Sequence, residues 1–170
     1  MEALAKRRPA FGKDGTVTAG NASGIVDGAA AVVCTTDERA KADGLDVMGI
    51  VRGYSYVGVD PQEMGIGPVP AIQKLLGDAG MSADAIDYFE INEAFSAQYL
   101  GCEKELGLDR DKCNVNGGAI GLGHPLGATG TRLVLTLLYQ LRRGGKKFGV
   151  ASACIGGGQG IAMLVENPNA

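Results

Sequence analysis

Apolar and polar positions fall into short blocks separated by Gly, Pro and Asp. Residues 47–59 are rich in β-branched and aromatic side chains and predict a strand. Residues 69–80 follow Pro68 with helical spacing and end on glycine, which predicts a helix. A second strand is expected over 86–91, then a helix from Glu93 to about Leu106. The longest helix is expected over 126–143, and two strands, 147–153 and 160–166, are joined by a tight glycine turn. Nearer the start, residues 1–8 suggest a helical turn stopped by Pro9, and 13–16 a polar turn. An apolar run covers 29–35, and Asp37 looks like the N-cap of a helix ending near Gly44. Strands alternating with helices predict an α/β layered fold with a mixed sheet.

One helix carries information about its surroundings. Positions 133, 134, 135, 137, 138, 139 and 141 are all apolar, and at about 100° per residue they cover nearly the whole circumference. That pattern predicts a helix buried on all sides, in a layer between this sheet and another domain or chain.

Composition narrows the function classes. With 45% hydrophobic residues and a net charge of -3, the chain can collapse, so disorder is excluded. Its 28 glycines cluster and do not recur every third residue, so it is not collagen. No run of about 18 uncharged apolar residues exists to span a membrane as a helix. The acidic balance, 16 Lys and Arg against 19 Asp and Glu, gives no nucleic-acid footprint. Arg142, Arg143, Lys146 and Lys147 straddle a Gly-Gly turn and suit a solvated helix end. Cys34, Cys102, Cys113 and Cys154 form no CxxC pair, and a single histidine accompanies them, so no metal site is expected. Without a targeting signal in these residues, reduced thiols and a cytoplasmic setting are expected, with the mitochondrial matrix as the other option.

Three segments carry candidate chemistry: Ile91-Asn92-Glu93-Ala94-Phe95, residues 116–125, and Ala153-Cys154-Ile155-Gly156-Gly157-Gly158. Each lies at a strand end or a strand-to-helix junction, where α/β sheets bind ligands. His124 is the only imidazole, set between Gly123 and Pro125, and the only side chain that ordinarily titrates near neutrality. Taken alone it fits a hydrogen-bonded loop residue as well as a catalytic base. Cys154 precedes glycines whose unshielded amides could bind an oxyanion, although an inert core thiol fits the same pattern. Asn92 could equally be a helix N-cap, and Phe95 a core residue. No phosphate-loop motif occurs, and the glycines near 121–126 miss the dinucleotide-binding spacing. A Cys–His pair beside glycine amides suits acyl transfer on a thioester or carbonyl.

Together these segments resemble the C-terminal half of the thiolases. The matching stretches are residues 16–24, MGIGPVPAI at 64–72, NEAF at 92–95, NVNGGAIGLGHPLGATG at 114–130 and CIGGGQG at 154–160. The resemblance covers essentially the whole chain, in order, and is closest to 3-ketoacyl-CoA thiolases and acetyl-CoA acetyltransferases. It implies an α/β/α half with a mixed sheet, normally part of a five-layer αβαβα fold. Residues 1–28 would be the trailing end of the loop domain and a linker, and 29–170 the C-terminal domain.

The resemblance also implies roles. His124 would activate a nucleophilic cysteine and help bind the thioester oxygen, and Asn92 would hold a water in that oxyanion hole. Cys154 would be the acid/base for the α-proton of acetyl-CoA, and the Gly156 N–H a donor in a second oxyanion hole. Ser23 would contact the pantetheine arm of CoA, and Phe95 would line the pocket. No cofactor is implied, since CoA thioesters are the substrates. The acylated cysteine of thiolases lies in their N-terminal half, in a glycine context that Cys34, Cys102 and Cys113 lack. The expectation is therefore the catalytic half of an acyltransferase that interconverts 3-ketoacyl-CoA plus CoA with acyl-CoA plus acetyl-CoA. It would be inactive without an N-terminal half or partner chain, and homo-oligomeric when whole. Two other readings stand beside it: a silent scaffold module, and a thioesterase with Cys154 as nucleophile.

Overall fold

The fold was described from a computed structural model covering residues 2–170. Six helices, α1 (Glu2–Ala5), α2 (Asp37–Ala42), α3 (Pro68–Ala79), α4 (Ser96–Leu106), α5 (Ala119–Leu122) and α6 (Thr129–Gly144), accompany four strands. The strands are β1 (Ile50–Gly58), β2 (Tyr88–Ile91), β3 (Phe148–Ile155) and β4 (Gln159–Glu166). They form one sheet in the order β1-β4-β3-β2. β2 and β3 are parallel, while β3/β4 and β4/β1 are antiparallel, so the sheet is mixed as expected.

The pleat divides the core in two. Val150, Ala162 and Leu164 point to one face with Phe89 and Ile91, where Ala71, Ile72 and Leu75 of α3 and Tyr99 of α4 cover them. Ala151 and Val165, one residue out of step, point to the other face and meet Leu133, Leu137, Leu138 and Leu141 of α6. This is the strand period of two meeting helical stripes on both sides, and it gives three layers, α/β/α. Gly149 lets α6 approach the sheet, because a Cβ there would stand 2.8 Å from Leu137.

Helix α3 runs from Pro68 to a left-handed Gly80, close to the expected limits. The glycine turn between β3 and β4 spans 156–158, with Gly157 and Gly158 at φ 85° and 87°. Several expectations need correction. Helix α2 is capped by Thr36, whose side chain accepts the Arg39 N–H, and not by Asp37. The run 29–35, with Cys34 in it, joins no strand ladder, and Cys34 is exposed. β-Propensity makes a strand only where a partner edge is offered. Within this chain only the stripe of α6 toward the sheet is fully covered, and Tyr139 is 54% exposed, on a face that the expected neighbouring domain or chain would cover. The first helical turn holds over Glu2–Ala5, and Met1 lies outside the described residues. Among the described residues no helix is long and apolar enough to cross a membrane.

Candidate active site

Parallel pairing puts the carboxyl ends of β2 and β3 side by side, with Ile91 opposite Ser152. The register continues one step, as the Asn92 N–H donates to the Ser152 carbonyl at 2.9 Å. Asn92 thus leaves β2 fully buried, and Cys154 lies two residues further along β3, partly exposed. Asn92 Nδ2 is 3.3 Å from Nε2 of His124, while its Oδ1 is buried and unpartnered among the described residues. The other ring nitrogen, Nδ1, lies 2.6 Å from the hydroxyl of Thr129. His124 is also tied to the N-terminal segment, its backbone N–H donating to the Gly24 carbonyl at 2.9 Å.

That segment brings in the remaining candidates. The Ser23 N–H donates to the Ala94 carbonyl at 3.0 Å, and Ala22 bridges to Phe95. Phe95 meets the Phe11 ring edge-on at 6.0 Å. Asn92 and His124 are therefore in direct contact, and Ser23 and Phe95 are tied to them through Ala22, Gly24 and Ala94. Cys154 reaches the group through the β2/β3 register. Gly156 opens the turn beyond it and is exposed, and a Cβ there would meet nothing within 4 Å.

Sequence reasoning missed the group that holds these loops together. Asn114 accepts the Ile91 N–H at 2.8 Å and donates Nδ2 to the Ile91 carbonyl at 2.9 Å, so its side chain pairs with β2 as a strand would. It does so from φ +46°, a left-handed conformation that Asn tolerates better than most residues. The same Nδ2 donates to Glu93 Oε1 at 2.9 Å, and Glu93 Oε2 accepts the Ile120 N–H at 3.2 Å. Gly118 is glycine because a Cβ would stand 2.0 Å from the Glu93 carboxyl carbon. Glu93 thus fastens α5, and the His124 loop after it, to the strand end carrying Asn92. The signal was present in the sequence, as the Glu of NEAF and the Gly-Gly pair, but nothing local joins them.

A buried ion pair lies under the site. Glu90 is 1% exposed and faces Arg132, whose Nη1 is 3.3 Å from its Oε2. Burial pushes the Glu90 carboxyl from 4.5 up to about 7; Arg132 opposes the shift and Glu93 adds to it. Above pH 4.5 the unfolded chain has released a proton that the folded one still holds, so stability falls as pH rises toward about 7. Glu90→Gln should abolish this part of the fall. Urea midpoints of both proteins at about pH 5.5 and about pH 8 test it; an equal fall in both would refute it. Arg132 has a second effect. Burial first, and its positive charge next, hold the His124 pKa below 6.5, so the ring is neutral at pH 7.

The thiols differ in setting. Cys102 is buried, its Sγ donating to the Gly65 carbonyl at 3.4 Å, and burial pushes its thiol up to about 11. Cys113 is likewise pushed up to about 11 by burial. Burial raises Cys154 as well, so all three are protonated at neutral pH. Three of the four cations of the basic cluster pair with acids, Arg142 with Asp46, Lys146 with Asp87 and Lys147 with Glu166, while Arg143 donates to Asn116 and Gln140. No group of three or more His, Cys, Asp or Glu residues is placed to hold a metal among the described residues.

Comparison with known proteins gives a consistent result. The family model described as "Thiolase, C-terminal domain" matches residues 45–167, and that of "Thiolase, N-terminal domain" matches 1–38. Acetyl-CoA acetyltransferase of Chromobacterium violaceum is 56% identical over 98% of this chain and 43% of its own length. The human mitochondrial 3-ketoacyl-CoA thiolase is 53% identical over 98% and 42%. Among solved structures, acetyl-CoA acetyltransferase of Bacillus anthracis superposes with a TM-score of 0.95 at 54% identity, over 98% of this chain and 42% of that one. The human mitochondrial 3-ketoacyl-CoA thiolase in complex with CoA gives 0.91 at 50% identity, with the same coverage. The chain thus spans less than half the length of the relatives it matches.

Proposed function

The chain belongs to the thiolase family, and on that premise we propose that it carries the C-terminal share of an acyltransferase site for CoA thioesters. The observation that carries this reading is the placement of His124, with Nε2 3.3 Å from Asn92 at the strand ends and Cys154 on the neighbouring strand. A neutral imidazole can take a thiol proton, which is what a general base for a cysteine nucleophile must do.

In thiolysis, His124 takes the proton from a cysteine of an N-terminal half, and the thiolate attacks the 3-keto carbon. The bond between C2 and C3 breaks, leaving the acyl group on that cysteine and a carbanion on C2. Cys154 suits the next step because burial keeps its thiol protonated: it delivers its proton to C2 and releases acetyl-CoA. Cys154, now a thiolate, takes the proton of the incoming CoA thiol, the CoA sulfur attacks the acyl-cysteine carbonyl, and the released cysteine thiolate recovers its proton from His124. Asn92 would hold a water against the thioester oxygen, and the exposed Gly156 amide would donate to the second oxyanion. Ser23 would meet the pantetheine arm beside Phe95. None of the other thiols suits the nucleophile's place, since Cys102 and Cys113 are buried and at about 11, and Cys34 lacks the glycine context of the thiolase nucleophile. A cysteine outside this chain therefore supplies it, and residues 1–28 and 29–170 divide between the loop region and the catalytic domain.

The direct test is thiolysis of acetoacetyl-CoA by this chain alone and with the N-terminal half of a relative added. The expected result is no turnover alone and turnover on addition. Full activity of the isolated chain would overturn the external nucleophile. Binding of the added half without any turnover would instead favour a scaffold module.

A further inference from the structure

The proposed roles leave out the one side chain that touches the far side of the His124 ring. Thr129 begins α6, is 3% exposed, and places its Oγ1 2.6 Å from Nδ1. The same hydroxyl donates to the Pro125 carbonyl at 3.1 Å, a bond back to residue i−4. A threonine hydroxyl has one proton and two lone pairs. With the proton turned to that carbonyl, which can only accept, the lone pairs face the ring, and in this arrangement Nδ1 carries the hydrogen. The opposite end of the ring agrees. With Asn92 oriented so that Nδ2 faces Nε2 at 3.3 Å, the amide donates and Nε2 is the bare nitrogen.

From this geometry we propose that Thr129 is a positioning residue, which fixes His124 as the Nδ1–H tautomer and leaves Nε2 as its basic atom. Thr129 need not touch substrate to do this. Its place on the first turn of α6 and its bond to Pro125 hold the hydroxyl where the ring must meet it. When Nε2 takes a proton, the Nδ1–H bond to Thr129 persists and stabilises the imidazolium. In the other tautomer Nε2 already carries hydrogen and cannot accept the thiol proton. The catalytic consequence rests on the reading of His124 as a base; the tautomer does not.

Because His124 is the only histidine, its ring nitrogens can be observed without assignment. The chain labelled with nitrogen-15 at histidine, studied by long-range proton–nitrogen correlation above neutral pH, should show Nδ1 protonated and Nε2 bare. Thr129→Val, which keeps the shape and removes the hydroxyl, should move the population toward Nε2–H, and Thr129→Ser should restore the original spectrum. In the enzyme completed with an N-terminal half, Thr129→Val should lower kcat about 10²-fold with KM little changed, and Thr129→Ser should recover it. A wild-type ring in the Nε2–H form would overturn the proposal even if the valine variant failed to fold. So would a folded Thr129→Val protein with an unchanged tautomer. The expected tautomer shift in a completed enzyme without thiolysis would support the role of Thr129 and refute the catalytic reading instead.

Discussion

His124→Ala, assayed with an N-terminal half present, should lower kcat for thiolysis of acetoacetyl-CoA about 10³-fold, within the range of a lost general base. No other side chain in this chain can replace it, because His124 is the only imidazole. The residues around it are also unsuited to the task. Asn92 does not titrate, Cys154 is kept protonated by burial, and Glu90 is 1% exposed and faces Arg132. The variant loses two side-chain hydrogen bonds, to Asn92 and Thr129. At about 1 kcal/mol each, that is a modest loss of stability, so the protein should remain folded at 25 °C. Thermal unfolding and binding of the added half separate the two effects. A folded, assembled His124→Ala enzyme with near-normal kcat would remove His124 from the mechanism.

The elements with strong local signals were legible in the sequence. Pro68 and Gly80 punctuate α3, and three glycines mark the β3/β4 turn. The site residues were legible only as types with alternatives, until the order of motifs suggested thiolases. What escaped was everything set by contacts distant in sequence. Asn114 acts as a strand partner only because the chain returns beside Ile91, 23 positions earlier, and Glu93 becomes a clamp only when Gly118 makes room for it. Thr129 reads as one more helix-start residue until its hydroxyl is seen against Nδ1. Helix α6 shows the converse: its apolar pattern states what is to be buried, and the Tyr139 face stays open within this chain because the neighbour that the pattern calls for lies outside it.

The largest loss of stability should come from a single methyl group at Gly160. This residue lies on β4, held between Val57 of β1 and Cys154 of β3. On its open side is the peptide that leads into α3, where a Cβ on Gly160 would stand 1.9 Å from the Gly67 carbonyl oxygen and 2.2 Å from its carbon. The approach is equally tight from the other side, since a Cβ on Gly67 would come within 2.5 Å of the Gln159 carbonyl oxygen. Backbone meets backbone here, so no side chain can rotate away, and relief requires moving β4 from its neighbours or tilting α3. Gly160→Ala should cost about 3 kcal/mol, at the upper end of ordinary overpacking. At roughly 2–4 °C per kcal/mol for a chain of this size, Tm should drop by about 6–12 °C. Gly77→Ala is the matched control. It adds the same methyl to the last turn of α3, where a Cβ meets nothing within 4 Å. Replacing a helical glycine there should stabilise by about 0.5–1 kcal/mol. The two substitutions are chemically identical and should have opposite signs, so propensity alone cannot explain both. Because Gly160 pairs directly with Cys154, its alanine variant should also lose thiolysis in the completed enzyme at temperatures where it remains folded. An unchanged Tm in Gly160→Ala would mean that β4 and the entry to α3 are not in contact as described.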